Sequence, residues 1–210
     1  MKNGLRWIAN GYAECYTFTL CEGITPRELL VRIGAQPHHI HELADDASEA
    51  LLMRPEDGHL SDLEFLDWED EDLVAQLTEA GFLSHPEAIV RAGAVPGWAY
   101  AIENCSSRTR CHLDQLSRGT RVYTVFRSGA GGQWVGYARD GQVVADYEPR
   151  EACAGRLATD EQVPGFFYNG EELSDVAFLG FLEQEFGISI AWQDMCAPLP
   201  SAAFALAFPS

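Results

Sequence analysis

Between Gly97 and Pro149 the apolar and polar positions change period three times, and the changes predict a strand, a helix and a three-strand meander. Successive side chains of a strand point to opposite faces. Trp98, Tyr100 and Ile102 therefore share one face, and Ala99, Ala101 and Glu103 the other. Ser106 or Ser107 is placed to cap a helix that turns Leu113 and Leu116 inward and stops at Gly119. From Arg121 to Ser128 both parities carry apolar groups, Val122 and Phe126 against Tyr123 and Val125, which predicts a central strand. Ser128 to Gly132 reads as a loop, and Asp140-Gly141 between two apolar runs is a two-residue hairpin signal. That turn pairs Arg139 with Gln142, Ala138 with Val143, Gly136 with Ala145 and Trp134 with Tyr147. The register puts Trp134, Gly136, Ala138, Val143, Ala145 and Tyr147 on one face. Val135, Tyr137, Arg139, Gln142, Val144 and Asp146 form a mixed opposite face, expected to meet water or a partner.

The rest of the chain patterns less sharply. Gly11 to Cys21 alternates as a first strand. Thr25-Pro26-Arg27-Glu28 has the form of a capping box with proline at the first helical position, followed by Leu29, Leu30 and Ile33 and closed by Gly34. From about residue 36 to 68 the pattern dissolves into histidines and acids around short apolar pairs, which reads as an acidic insertion with one helix, Ile40 to Met53. Glu69 to Ala80 predicts a helix with acids in its first turn and Leu73, Val74 and Leu77 inward. Ala88 to Ala94 predicts a strand that turns at Pro96-Gly97. Ser174 to Phe186 is an apolar helix ended by Gly187, Ile188 to Trp192 a short edge strand, and 197–210 an apolar, proline-punctuated tail lying as an extended cover. No repeat of 20 to 50 residues occurs. Together these elements predict one α+β domain over residues 1–210, a largely antiparallel mixed sheet with helices packed mainly on one face.

The 210 residues include 47% hydrophobic ones, enough for one sizeable core. No apolar run has the length of a membrane span, and no signal-peptide pattern follows Met1 to Arg6, so a cytoplasmic protein is expected. The six cysteines then read as reduced thiols. Charge changes the picture most. Lys and Arg number 14 against 32 Asp and Glu, a net charge of -18. Such a field repels phosphate backbones and argues against nucleic acid as a partner. It favours encounter with a basic protein, with solubility as the plainer reading.

The order Glu22-Gly23-Ile24-Thr25-Pro26, Leu29-Leu30, Ile33-Gly34, Gly97-Trp98-Ala99, Leu116-Ser117-Arg118-Gly119-Thr120-Arg121, Val125-Phe126-Arg127, Tyr137-Ala138-Arg139-Asp140-Gly141 and Tyr147-Glu148-Pro149 resembles an actinobacterial family of soluble proteins, a domain of unknown function. The similarity covers most of the chain outside His38 to about Trp68. It implies an architecture and a host class, and no catalytic residues.

Candidate chemistry is sparse. His38, His39 and His41 could offer imidazoles to a metal, but no Cys or carboxylate stands at ligand spacing, so a solvated loop is preferred and no metal or cofactor is expected. No Cys-x-x-Cys occurs, and Cys105 or Cys111 with His112 would point apart on a helix, so no catalytic residue is assigned. Gly129 to Gly132 lacks the lysine and hydroxyl of a phosphate loop. The acids of Asp67 to Asp72 suit a helix N-terminus better than a calcium loop. Two function classes remain. One is a non-enzymatic protein-binding module, immunity-type or accessory, engaging a basic partner through Glu42, Asp45, Asp46, Asp67, Glu69 and Asp70. The other is a small-molecule or peptide-handling biosynthetic enzyme using a cysteine and an aromatic sheet face, with Trp134, Tyr137 and Asp146 lining a groove.

Overall fold

In a computed structural model that describes residues 3–12, 14–148 and 174–205, the alternating segments become an eight-stranded sheet. The strands are β1 (Tyr16–Glu22), β2 (His41–Leu43), β3 (Ala88–Val95), β4 (Trp98–Asn104), β5 (Arg121–Arg127), β6 (Gln133–Arg139), β7 (Gln142–Tyr147) and β8 (Leu199–Phe204). They lie in the order β2-β8-β3-β4-β1-β5-β6-β7. Every neighbouring pair is antiparallel, so the expected sheet class holds without the parallel component of a mixed sheet. The helices are α1 (Ile8–Gly11), α2 (Pro26–Arg32), α3 (Asp45–Leu52), α4 (Glu71–Glu79), α5 (Arg108–Cys111), α6 (Leu113–Leu116), α7 (Asp175–Phe186) and α8 (Trp192–Cys196). Short 3₁₀ turns at Pro37–His39 and Leu60–Asp62 join them.

Parity sorts the core into layers. Tyr16, Phe18, Leu20, Tyr100, Ile102, Tyr123 and Val125 project from one face onto Leu5, Ile8 and the α7 residues Phe178, Leu179 and Leu182. The alternate residues Cys21, Ala99, Ala101 and Val122 project from the other face onto Leu29 and Leu30 of α2, Ile33 at its end, and Leu113 and Leu116 of α6. Helices therefore cover both faces, where the sequence predicts packing mainly on one. The small residues of the second face are the reason. Alanines at 92, 99 and 101 leave room for α2 to approach the sheet closely. A third cluster, with Leu43, Ala47, Leu51, Leu63, Leu66, Leu77, Phe82 and Ile89, is built from the acidic segment, α4 and the turn after it, and it rests on Ile89 of β3. That segment is thus a lobe with its own apolar centre, and it carries the edge strand β2.

Local signals explain where most helices begin and end. Thr25 Oγ1 accepts from the Glu28 amide at 3.1 Å, while the Glu28 carboxylate pairs with Arg32 at 2.7 Å instead of closing the box. Ser174 caps α7 through the Ala177 amide at 3.1 Å, and Gly187 ends it in the left-handed region at φ 64°. Ser107 stands before α5 without a side-chain bond. Its capping role falls to Glu103, a buried β4 residue whose carboxylate accepts from the Arg108 and Thr109 amides at 2.8 and 3.0 Å. Two buried hydrogen bonds extend this network, Thr19 with Thr109 at 2.8 Å and Thr19 with Thr124 at 3.0 Å.

Several boundaries differ from the sequence pattern. β1 begins at Tyr16, because Ile8–Gly11 is already helical. Ile40 to Met53 divides into β2 and α3, since Asp45 and Asp46 suit a helix start and the residues before them pair with β8. The expected edge strand at Ile188 to Trp192 is absent; Ile188 and Ile190 bury as coil and α8 starts at Trp192. The tail is the largest correction. Leu199–Phe204 is an interior strand, paired with β2 on one side and β3 on the other; residues 206–210 and the stretch 149–173 lie outside the described residues.

The hairpin forms as predicted at its turn, with Asp140 and Gly141 at φ 51° and 82° and Arg139 opposite Gln142. Past Ala138 and Val143 the register slips. Tyr137 faces Ala145, Gly136 faces Asp146 and Val135 faces Tyr147, so Val144 is an extra residue, a β-bulge. One inserted residue exchanges the faces of all that follow. The predicted mixed face fails for this reason: Val135, Tyr137 and Ala145 all lie in the first core.

Candidate functional site

The six acids of the expected binding surface do different work. Asp45, at the start of α3, pairs with Arg91 at 2.6 Å and accepts from the Tyr12 hydroxyl at 2.9 Å. Arg91 is 2% exposed, and its remaining donors reach the carbonyls of Leu43, Met195 and Ala197 at 3.3, 2.7 and 3.0 Å. This buried guanidinium ties the acidic lobe to β3 and to α8. Asp45 therefore belongs to the frame. Burial and the adjacent Asp45 carboxylate push the Tyr12 phenol far above its ordinary value, so it stays a donor.

The other five are exposed. Glu42 sits on β2 opposite Pro200. Asp46 bonds its neighbour's amide, Ala47, at 2.8 Å. Asp67 and Asp70 organise the entry to α4, the first accepting from the Glu69 amide at 3.1 Å and the second from the Leu73 amide at 3.0 Å. Their helix-start role is as the sequence predicts. In the same lobe Trp68 is 57% exposed and Met53 70%, with Phe65 also at the surface. Sequence reasoning passed over these three as ordinary apolar positions. The signal was available in spacing: Leu60, Leu63 and Leu66 recur every three residues toward the third core, and Phe65 and Trp68 fall off that spacing.

The proposed aromatic groove does not assemble. Tyr137 is buried in the first core, its ring centroid 4.9 Å from that of Tyr123. Trp134 and Asp146 come together on the opposite face, because the bulge carries Asp146 to Trp134's side. Between them Arg110 donates to both Asp146 oxygens at 2.9 and 3.0 Å and lies 5.2 Å over the Trp134 ring. The cation satisfies both residues and closes the face.

Two thiols, Cys15 and Cys105, lie side by side where β1 begins and β4 ends. Cys21 is buried in the second core and its thiol is pushed well up by burial. Cys105, in the left-handed region at φ 52°, donates its amide to the Cys15 carbonyl at 3.2 Å, and its thiol is pushed up to about 11 by burial and by Cys15. A raised thiol is a poor nucleophile at neutral pH. His112 Nδ1 lies 2.8 Å from the Arg108 carbonyl, which engages that nitrogen within its own helix.

One grouping appears that the sequence does not reveal. His38 and His39 stand with ring centroids 4.1 Å apart, and Glu79 at the end of α4 reaches the same place. His41, on β2, packs its ring edge-on to Phe82 at 5.8 Å, and burial and His39 hold its imidazole below the usual range.

A family model of unknown function, DUF6461, matches residues 4–165. The chain belongs to that family. The matched residues include the acidic lobe, which the resemblance read from the sequence left out, and all strands from β1 to β7; helices α7 and α8 and strand β8 lie beyond them. No curated protein and no solved structure matches the chain. No helix among the described residues is long and apolar enough to cross a membrane.

Proposed function

We propose that this protein is a cytoplasmic, non-enzymatic binding module whose acidic lobe engages a basic protein partner. The observation that carries the reading is the exposure of Trp68, Met53 and Phe65 in a segment rich in unpaired surface acids. Interfaces concentrate binding free energy in a few large apolar or aromatic anchors surrounded by polar groups. A net charge of -18 speeds approach of a cationic partner and repels nucleic acid. Among the described residues the Cys21 and Cys105 thiols are raised, the His112 ring faces the Arg108 carbonyl, and Tyr123 and Tyr137 pack in the first core, which supports a binding role over a catalytic one.

The experiment is affinity capture from the native host with the full chain, followed by reconstitution with the purified candidate. A stoichiometric basic protein is expected, whose affinity falls by about 2 kcal/mol or more for Trp68→Ala, the usual scale of an aromatic anchor. Recovery of no such protein, or affinity equal to that of the unmutated chain in both Trp68→Ala and a joint Asp67→Asn, Glu69→Gln, Asp70→Asn variant, would remove the proposal.

A further inference from the structure

We propose that His38, His39 and Glu79 form a binding site for one divalent transition-metal ion of the zinc class. The sequence offers three imidazoles, of which His41 turns to Phe82, and no carboxylate at ligand spacing. The fold supplies it: α4 runs back along the lobe and ends with Glu79 against the 3₁₀ turn Pro37–His39. One donor atom from each of the three residues lies within 4.8 Å of the others.

His39 is the decisive member. Its Nε2 is removed from solvent and has no hydrogen-bond partner among the described residues; the nearest carboxylate oxygen, Glu79 Oε1, is 3.9 Å away. A buried polar atom without a protein partner is uncommon in a folded protein and is met by an ion or a water. The distance is too long for a hydrogen bond and suits two groups converging on a third. Zinc bonds of about 2.0–2.2 Å put tetrahedral donor atoms roughly 3.4 Å apart, so the three donors, within 4.8 Å of one another, need a movement of up to about 1.4 Å. Glu79 can make it, since its side chain is 74% exposed and unconstrained by packing.

The donor types choose the metal. Two imidazole nitrogens and one carboxylate suit zinc, copper or nickel, while magnesium and calcium prefer oxygen ligands. Three protein donors leave a position for water. The field of the whole chain, net -18, enriches cations around it. Bound metal would join two parts of the molecule. Ile40, next to the turn, is in the second core, whereas Leu77, two residues before Glu79, is in the third.

The test is calorimetric titration of the full, tag-free chain with Zn²⁺ in excess Mg²⁺, paired with the absorption spectrum of the Co²⁺ form. One equivalent is expected to bind. His39→Ala and Glu79→Gln are each expected to weaken binding at least about tenfold, the smallest loss typical even of residues that only support metal ligands. Neither side chain belongs to an apolar core cluster, so melting without metal should change little. The Co²⁺ spectrum should lack thiolate charge-transfer absorption. Absence of binding, affinity unchanged in both variants, or a thiolate band would overturn the proposal; the last would assign the metal to cysteines and can be read on the unmutated chain.

Discussion

Asp45 and Glu42 stand three residues apart on one acidic run, yet the fold puts them to opposite uses. The Asp45 carboxylate faces a guanidinium that is nearly sealed from water, and removing one partner of a buried pair leaves the other charge uncompensated. Asp45→Ala is therefore expected to destabilise the protein by about 3 kcal/mol in a urea melt. Glu42→Gln on the exposed side of β2 should change the melt by no more than about 0.5 kcal/mol. Equal effects would show that the Arg91 clamp is not what joins the lobe to the sheet. Residue roles of this kind were hidden in the sequence, because parity and spacing say which residues share a face but not which distant cation arrives there. Arg91 lies 46 positions from Asp45, and Glu79 lies 40 from His39. Tyr137 was hidden for another reason, since one bulged residue reversed the orientation of its strand partners.

Elements with local signals were legible. The Thr25-Pro26 start, the Asp140-Gly141 turn, the Ser174 cap and the Gly187 stop all sit where neighbouring residues specify them, and each is found in the fold. Elements specified by partners were not. β8 has Pro198 just before it and Pro200 within it, and it reads as a loose tail because nothing local announces a strand; its identity comes from β2 and β3 on either side. The same holds for β2, three residues long and bordered by helix-forming acids. Truncating the chain after Pro198 would expose the β3 edge and strip Ala202 and Phe204 from the second core. The shortened chain is expected to lose its cooperative thermal transition, followed by circular dichroism. A truncated chain that melts near the full-length midpoint would instead make the segment a removable cover.

At the scale of the molecule, charge and core are separated in space. Three apolar clusters occupy the two faces of the sheet and the centre of the lobe, and the exposed acids of residues 42–72 gather on the lobe with Trp68 and Met53 among them. Composition already indicated the acidic field and the order of elements the α+β class; neither could say that the acidic segment folds around its own leucines or that aromatic side chains remain outside. The central claim is that this lobe is the working surface. Amide hydrogen exchange on the free protein and on its reconstituted partner complex tests it most directly. The account predicts slowed exchange between residues 53 and 72, with little change along β6 and β7. Protection confined to β6, β7 and the Arg110 helix, with residues 53–72 exchanging as in the free protein, would contradict it.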